Sequence, residues 1–589
     1  MMQQPPQHVK NGMLTLWRLL PYWGDQWHFL LAVFLCSAIG VAVSIVSPVI
    51  IGKAIDGCVA SVSSSVPSLL FQYLAALAAI YVLGLFAGWA QDFFMTKASQ
   101  RVVAKLRSQM MSHLLSLDVA FFDTHSRGDI MSRFSNDAEM IRDGMGQTLV
   151  QMLTTVVSMV AMVVVMLQMS FTLTCLTCVG VPVVIILSRF VVSRSHRLFS
   201  LQQTACGNLN SVIEESVGGL KTIRSLRSSS IWSDKFASAN AEVRDVGTRA
   251  QVNSGILMPL LRLLDNATYM LVAVVGGVMA VHGAVTVGVI QSFLLYTRQF
   301  LRPVNMAASQ VNALQSALAG AERIFELLDA NPDIPVAVPS PSSARVRGDV
   351  VFENVSFGYS PSCLALSDVS LHVHPGQVVA IVGGTGAGKT TMVNLLARFY
   401  DVSSGRILVD GVDVRNYDVS TLRRQMAIVL QEPILFSGSI AYNISYGDVS
   451  RPSIPDVEQS ARQAMADAFI SRLPNSYDER IGSDAALSDG QRQLLTIARA
   501  MHSRAPILIL DEATSSVDTH TEAMLQRAMA NLTDGRTCFI IAHRLSTIRQ
   551  ADLIVVLDHG RIVETGSHDE LIARGGAYKS LFDSQFADS

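Results

Sequence analysis

Gly383, Gly384, Thr385, Gly386, Ala387, Gly388, Lys389 and Thr390 read G-x-x-x-x-G-K-T, the pattern of a loop that closes around phosphate. Its glycines let backbone N–H groups approach the oxygens, Lys389 reaches the β- and γ-phosphates, and the Thr390 hydroxyl can hold Mg²⁺. A glycine-rich turn alone would say little. Here the apolar, β-branched run from Val378 to Val382 leads into the loop, and a helical pattern from Thr391 to Phe399 leads out of it. In that strand–loop–helix context the helix N-terminus, with Thr391 in its first turn, adds a favourable dipole for an anion. The expected cofactors are ATP and Mg²⁺.

Downstream, Ile507-Leu-Ile-Leu-Asp511-Glu512 is a buried-strand pattern that ends in two adjacent carboxylates. Strand alternation points the two side chains differently, so Asp511 suits Mg²⁺ through water and Glu512 suits polarisation of an attacking water. Without the phosphate loop such a pair would more often be a helix cap or a solvated edge. A third run, Cys538-Phe-Ile-Ile-Ala542, delivers His543 where a γ-phosphate sensor could sit. A lone histidine there would equally be structural.

The elements that must carry these residues belong to a long chain. At 589 residues two or more folding units are expected. Half the residues are hydrophobic, 16% are charged and mean hydropathy is +0.36, which fits a protein partly dissolved in lipid. Net charge is only −2, and no nucleic-acid module is present, so nucleic acid is excluded as a partner. The seven cysteines are scattered. Cys175 and Cys178 form the one close pair, inside an apolar run where their spacing reflects a helix rather than zinc or redox chemistry.

Charge-free intervals between Asp25 and Lys53, Asp56 and Asp92, and Asp143 and Arg189 locate membrane spans, the third holding two helices that turn near Gln168, Met169 and Ser170. The interval from Asp265 to Arg298 is too short for two spans plus a turn at His282 and Gly283, so its helices must extend past both ends. Six spans result, at 28–51, 70–92, 147–168, 170–192, 256–281 and 286–308. Arg262, Asp265, Arg298 and Arg302 then fall at or near membrane depth. They either line a transport pathway, or pair structurally and snorkel to the headgroups.

Lys97, Arg101, Lys105, Arg107, Arg127 and Arg133 crowd one long connection, and Arg194, Arg197, Lys221, Arg224 and Arg227 the other. The short turns carry no Lys or Arg, so the positive-inside rule makes the long connections and both termini cytoplasmic. Those connections are rich in helix formers, and their helices are expected to continue beyond the bilayer. Residues 1–27, with Lys10, Trp17 and Arg18, lack the pattern of a cleaved leader and read as an interfacial lead-in. The resulting division is 28–329 for the membrane domain, 330–346 for a Pro/Ser-rich linker, and 347–589 for the nucleotide domain.

At this point the chain resembles the ATP-binding cassette (ABC) transporters, specifically half-transporters with an exporter-type membrane domain, over nearly its whole length. Leu487-Ser-Asp-Gly-Gln491 resembles that family's signature motif, which places Ser488, Gly490 and Gln491 among the nucleotide contacts. Gln431, in Val429-Leu-Gln-Glu-Pro433, matches the Q-loop glutamine with its catalytic and Mg²⁺ role. Tyr359 matches the adenine-stacking aromatic, His543 the switch histidine, and Ser515-Ser-Val-Asp518 the D-loop. The resemblance implies an all-α six-helix transmembrane bundle followed by an α/β P-loop NTPase domain.

It further implies a sandwich of two such domains around two ATP molecules, each held by the Walker motifs of one subunit and the signature of the other. Phe121-Phe-Asp-Thr-His-Ser-Arg-Gly128 and Glu214-Glu-Ser-Val-Gly-Gly219 fall where the family's coupling segments lie. The expected function is ATP-driven export of a small, amphipathic, lipid or peptide solute by alternating access, across a bacterial inner membrane. Import on the same scaffold, for example of a siderophore, and an ATP-gated channel or regulator are the alternatives. Arg298 and Arg302 hint at an anionic group on the solute.

One departure stands out. Asp489 replaces the glycine usual in the signature, and Gly482-Ser-Asp-Ala-Ala486 departs from the acidic, Gly-containing stretch expected before it. A carboxylate facing the γ-phosphate of the opposing ATP would weaken that contact. Such asymmetry resembles heterodimeric exporters and favours a second, different half-transporter as partner. A homodimer that tolerates aspartate is the alternative.

Overall fold

The computed structural model describes residues 12–61, 68–330, 346–360, 363–448, 453–482, 487–511, 519–542 and 545–586; the side chains of 60–61, 68–69, 147, 192, 196, 301–308, 519–520, 546 and 585–586 are not among them. The chain divides into two compact units. The first comprises Met1–Leu115 and Arg127–Ala330, and the second comprises Ser116–Ser126 and Asn331–Ser589. The linker stretch from 331 to 345 lies outside the described residues.

The first unit is helical throughout. Helix α1 (Gly12–Gly24) is followed by α2 (Trp27–Ser61) and α3 (Ser68–Leu114). After α4 (Val119–Thr124), which belongs to the second unit, come α5 (Arg127–Ser132), α6 (Ala138–Ile141), α7 (Leu149–Met169) and α8 (Phe171–Gly218). The remaining helices are α9 (Leu220–Ser225), α10 (Ser229–Gly255), α11 (Leu257–Val281) and α12 (Val287–Leu328). Among the described residues five stretches are long and apolar enough to cross a bilayer: Trp27–Val59, Leu70–Leu114, Arg127–Met169, Phe171–Gly218 and Ser229–Val281. Helix α12 completes a six-helix bundle.

The helices run past the expected spans, as the helix formers of the connections require. The third and fourth spans turn at Ser170, whose hydroxyl accepts from Leu173 N and caps α8. Cys175 and Cys178 lie on α8 as free thiols. Phe34, Phe86, Trp89, Phe190 and Met270 stay exposed, as large apolar side chains do on lipid-facing surfaces.

Helices α2 and α12 approach backbone to backbone. A Cβ on Gly288 would lie 2.0 Å from Gly52 O, and one on Gly52 would lie 2.2 Å from Ser292 Oγ. Pro48 interrupts the hydrogen-bond ladder of α2, and side chains of α12 meet the carbonyls around it. Ser292 Oγ donates to Pro48 O at 2.8 Å, and Tyr296 OH donates to Ile45 O. At the end of the same seam Asp56 accepts from Thr286 Oγ1 (2.6 Å) and from Gly288 N (2.7 Å). Small residues and hydroxyl hydrogen bonds hold membrane helices together where no hydrophobic drive separates protein from lipid.

Between α5 and α7 the helical run widens into two π-turns, Arg133–Asp137 and Arg142–Thr148. Asp137 is buried there against Arg323 of α12. Gly144 closes on α12, its absent Cβ falling 2.4 Å from Ala317 Cβ. Arg18 of α1 donates twice to Asp329, at 2.6 and 2.7 Å, and lies over the Phe325 ring. The hydrogen bond to Arg18 holds the Asp329 carboxyl below its ordinary range.

The second unit is α/β. Its strands are β1 (Val350–Phe357), β2 (Leu366–Val373), β3 (Val378–Gly383), β4 (Ser404–Val409), β5 (Val412–Asp413), β6 (Met426–Val429), β7 (Gly438–Ser439), β8 (Arg480–Ile481), β9 (Ile507–Asp511), β10 (Thr537–Ile541), β11 (Leu553–Asp558) and β12 (Arg561–Gly566). The main sheet runs β12-β11-β3-β10-β9-β6, parallel except for β12, and a smaller antiparallel sheet runs β2-β1-β4-β5. Alternation along the central strands feeds two cores. Leu508, Leu510, Cys538 and Ile540 point into the helical side. Ile507, Ile509, Phe539 and Ile541 point toward the antiparallel sheet.

Substituting Gly288→Ala, on α12, should destabilise the first unit by about 1–3 kcal/mol, because the Gly52 carbonyl and the hydrogen-bonded Asp56 carboxylate block relief of the overlap. Gly40→Ala, on α2 but with nothing within 4 Å, should leave it unchanged. Thermal unfolding of the two detergent-solubilised variants against the wild type checks the contrast.

Candidate functional site

The parallel order of the main sheet brings separate sequence motifs to one edge. Strands β3, β10, β9 and β6 end side by side, since Ile541 pairs with both Ile381 and Asp511, and Val429 pairs with Leu510. The phosphate loop therefore leaves β3 on the same edge where Asp511 ends β9 and where Gln431 follows β6, exposed. In open α/β sheets this carboxyl edge is where ligands bind. Glu512, the D-loop segment 515–518 and His543 lie outside the described residues.

Within the loop, Gly383 and Gly388 stand where no side chain fits. Gly388 has φ +102° and precedes the helix Lys389–Leu396; a Cβ there would sit 2.7 Å from Leu366 Cδ2 and 2.8 Å from Ala365 O. A Cβ on Gly383 would meet Leu557 O at 2.2 Å. Gly384, Thr385 and Gly386 are exposed, Ala387 is buried, and Gly384 O accepts from Ala387 N. Lys389 Nζ donates to Gly383 O and Gly384 O, both at 2.8 Å, and so spans the mouth of the loop. Burial draws its pKa down, while the Asp511 charge opposes that shift. Thr390 is exposed in the first helical turn and Thr391 is buried. The donor set fits a triphosphate with its Mg²⁺: N–H groups, an ammonium, a hydroxyl and a sheet-end carboxylate.

Tyr359 lies beside the loop. Its hydroxyl donates to Thr391 Oγ1 at 3.3 Å, and its ring is met edge-on by Phe357 and by Tyr400, the latter with centroids 5.1 Å apart. Edge-on packing leaves 54% of the residue exposed, enough for a base to stack.

Tyr400 and Arg423 are absent from the residues the motifs single out, and both connect this site to Ser116–Ser126. The Tyr400 hydroxyl donates to Asp123, and burial followed by that bond pushes the phenol pKa up. Arg423 donates to Ala397 O (3.2 Å) and Arg398 O (2.8 Å), the carbonyls that end the Walker helix. Burial lowers its pKa and the charge of Asp118 opposes this. Spacing alone signals neither residue; only their place after the Walker helix does. Phe121 of α4 stacks on His125, the residue that caps the end of that helix. The second expected coupling segment ends α8, where Gly219 caps the helix before α9.

The signature residues occupy a helix of their own, Asp489–Ser503. Ser488 is its N-cap, accepting from Gln491 N at 3.3 Å while its own N–H donates to Gln491 Oε1 at 3.1 Å. Gly490 is buried, and Asp489 is exposed in the first turn. Among the described residues Ser488, Asp489 and Gln491 share no hydrogen bond with the phosphate loop of the same chain. Residues 483–486 lie outside the described ones.

Of the intramembrane ionisable residues, Arg298 lies over the Tyr269 ring at 4.7 Å, joining α12 to α11. Arg262 is exposed, and Asp265 keeps one buried oxygen, Oδ1, without a hydrogen-bond partner. Among the described residues no ion pair joins Arg262, Asp265 and Arg298. The Arg302 side chain is not described.

Comparison with known proteins agrees with this architecture. Residues 30–304 match the ABC transporter transmembrane region, and residues 366–515 match the ABC transporter nucleotide domain. The chain is 41% identical over 581 residues to the ABC transporter ATP-binding protein YfiC of Bacillus subtilis (strain 168), covering 98% of this chain and 95% of that protein. It is 41% identical to a fatty acid ABC transporter ATP-binding/permease protein of Mycobacterium bovis, over 86% of this chain and 80% of that one. An ATP-dependent lipid A-core flippase of Syntrophus aciditrophicus is 34% identical over 87% of this chain and 85% of its own. A membrane bundle of this length joined to one complete phosphate loop makes the chain a multi-pass half-transporter of the ATP-binding cassette family, an ATPase-coupled translocase related to the ABC exporters.

Proposed function

We propose that this half-transporter uses ATP to export an amphipathic, lipid-like solute, with both termini cytoplasmic and with a second half-transporter completing its two ATP sites. The observation that carries the reading is a continuous series of contacts in the nucleotide unit. Thr391 meets Tyr359, Tyr359 packs against Tyr400, and Tyr400 holds Asp123. Asp123 comes from a segment whose flanking helices, α3 and α5, belong to the membrane unit. Stacking of adenine on Tyr359 thus acts one side chain away from the anchor of a membrane loop. Relatives named for fatty acid and lipid A-core transport support a lipid-like solute, as does a bundle whose ionisable groups are few.

In the proposed cycle the loop N–H groups and Lys389 bind the phosphates, and Thr390, Asp511 and Gln431 hold Mg²⁺, which offsets phosphate charge when bound. Glu512 polarises the attacking water, and His543 orients the γ-phosphate. Ser488, Gly490 and Gln491 serve the ATP bound by the partner. Asp489 already places a negative charge at the helix N-terminus that must greet that ATP, so it competes with the phosphate for the same dipole. This chain then supplies the stronger Walker side and the weaker signature side, which favours a heterodimer.

Three outcomes test the proposal. Glu512→Gln should cut ATP hydrolysis by about 100-fold or more while leaving ATP binding intact, measured as phosphate release and as nucleotide retention. Asp489→Gly should raise turnover by roughly two- to fivefold in whichever assembly uses this signature, the worth of one charge at a helix end; equal rates would remove the asymmetry argument. Tyr400→Phe should leave ATP affinity near wild type yet lower lipid-stimulated ATPase and vesicle transport together, and transport at full rate would break the proposed relay.

A further inference from the structure

We propose that Asp349, His372 and His374, on the antiparallel sheet of the nucleotide unit, bind a divalent transition metal of the Zn²⁺ class. His372 lies on the edge strand β2 and His374 directly follows it, the two alternating with the buried Leu371 and Val373, so both imidazoles stand on the outer face. Asp349 lies at the start of the neighbouring β1, where Val350 pairs with Val373 and Val351 with His372. His372 Nε2 is 2.9 Å and His374 Nδ1 3.9 Å from one oxygen, Asp349 Oδ1, and the donor atoms of all three residues lie within 4.8 Å of one another. Ligands about 2.0 Å from a tetrahedral Zn²⁺ stand roughly 3.3 Å apart, a spacing those two distances bracket.

The frame that carries the donors is fixed independently of them. Asp349 N donates to Asp410 Oδ1 and Asp410 N donates to Asp349 O, at 2.9 and 2.8 Å. His374 opens a Pro-Gly turn in which Gly376 has φ +79°, closed by Gln377 N donating to His374 O. The buried Thr537 ties both segments together, its hydroxyl donating to Gly348 O and accepting from Gly376 N. Little ordering remains for an ion to impose, and the rings are only half-buried or less, so water can fill the remaining coordination position. Two imidazoles and one carboxylate select Zn²⁺, Cu²⁺ or Ni²⁺ over Mg²⁺ or Ca²⁺. The site is distinct from the phosphate loop and does not depend on how the ATP cycle runs.

The test uses the full chain in detergent, free of any histidine tag and with its thiols alkylated, titrated with Zn²⁺ alone. Expected are one saturable Zn²⁺ per chain at concentrations up to about 100 µM, at least tenfold weaker binding in His374→Gln, and loss of uptake in the His372→Gln/His374→Gln double variant. Zn²⁺ should also raise the unfolding temperature of the wild type but not of the double variant, whose metal-free unfolding temperature reports that it folds. A Cu²⁺-loaded sample should give a paramagnetic resonance signal split by imidazole nitrogen. Equal Zn²⁺ uptake by the wild type and the double variant, or no saturable uptake in the wild type, would overturn the assignment.

Discussion

Backbone can grip a phosphate only where nothing projects between its N–H groups and the oxygens. Gly388 meets that constraint under pressure from behind, with Leu366 and Ala365 so close that any side chain would push the loop off its strand. Gly383 meets it against Leu557 on the neighbouring β11. The loop is consequently shaped from one side of β3, since Leu366 and Leu557 both belong to the core shared with the antiparallel sheet. The parallel strands then serve the loop by ending beside it, and the antiparallel sheet serves it by supplying Leu366 at its back and Tyr359 at its side.

In the proposed cycle, coupling rests on where long polar side chains find partners. Tyr400 and Arg423 both belong to the nucleotide unit; Tyr400 donates to Asp123 of a segment interpolated from the membrane sequence, and Arg423 feels the charge of Asp118 in the same segment. Arg423 meanwhile satisfies the carbonyls of Ala397 and Arg398, which end the helix that leaves the phosphate loop. In the proposed cycle this places the response to nucleotide in a few directional bonds rather than in a broad apolar contact.

The phosphate loop, Asp511 and the strands before them were legible because each is a local pattern: a glycine series, a β-branched run, a lysine at fixed spacing. The spans were legible because lipid forbids charge over about 20 residues. The π-turns around Asp137 and Gly144 were not, since they arise from close packing on α12, a partner remote in sequence. Tyr400 escaped for the same reason, its role being conferred by Asp123 across 277 positions. Nor does spacing foretell that Asp349 meets His372 and His374, which depends on the register of two strands joined by a loop. Asp265 shows a different limit, because hydropathy says nothing of the partner that its buried Oδ1 lacks.

The seam between α2 and α12 has a consequence for biosynthesis. Asp56 and Gly288 are separated by 232 positions, so the first membrane helix to leave the ribosome waits for the last before its kinked carbonyls and its glycine are covered. The segment at Asp123 waits longer still, for Tyr400. Nascent chains of this protein therefore carry an open polar seam until the last membrane helix is made, and the Asp123 pairing closes only later, so the two closures come in sequence and are governed by distant pairings rather than by helices folding one after another.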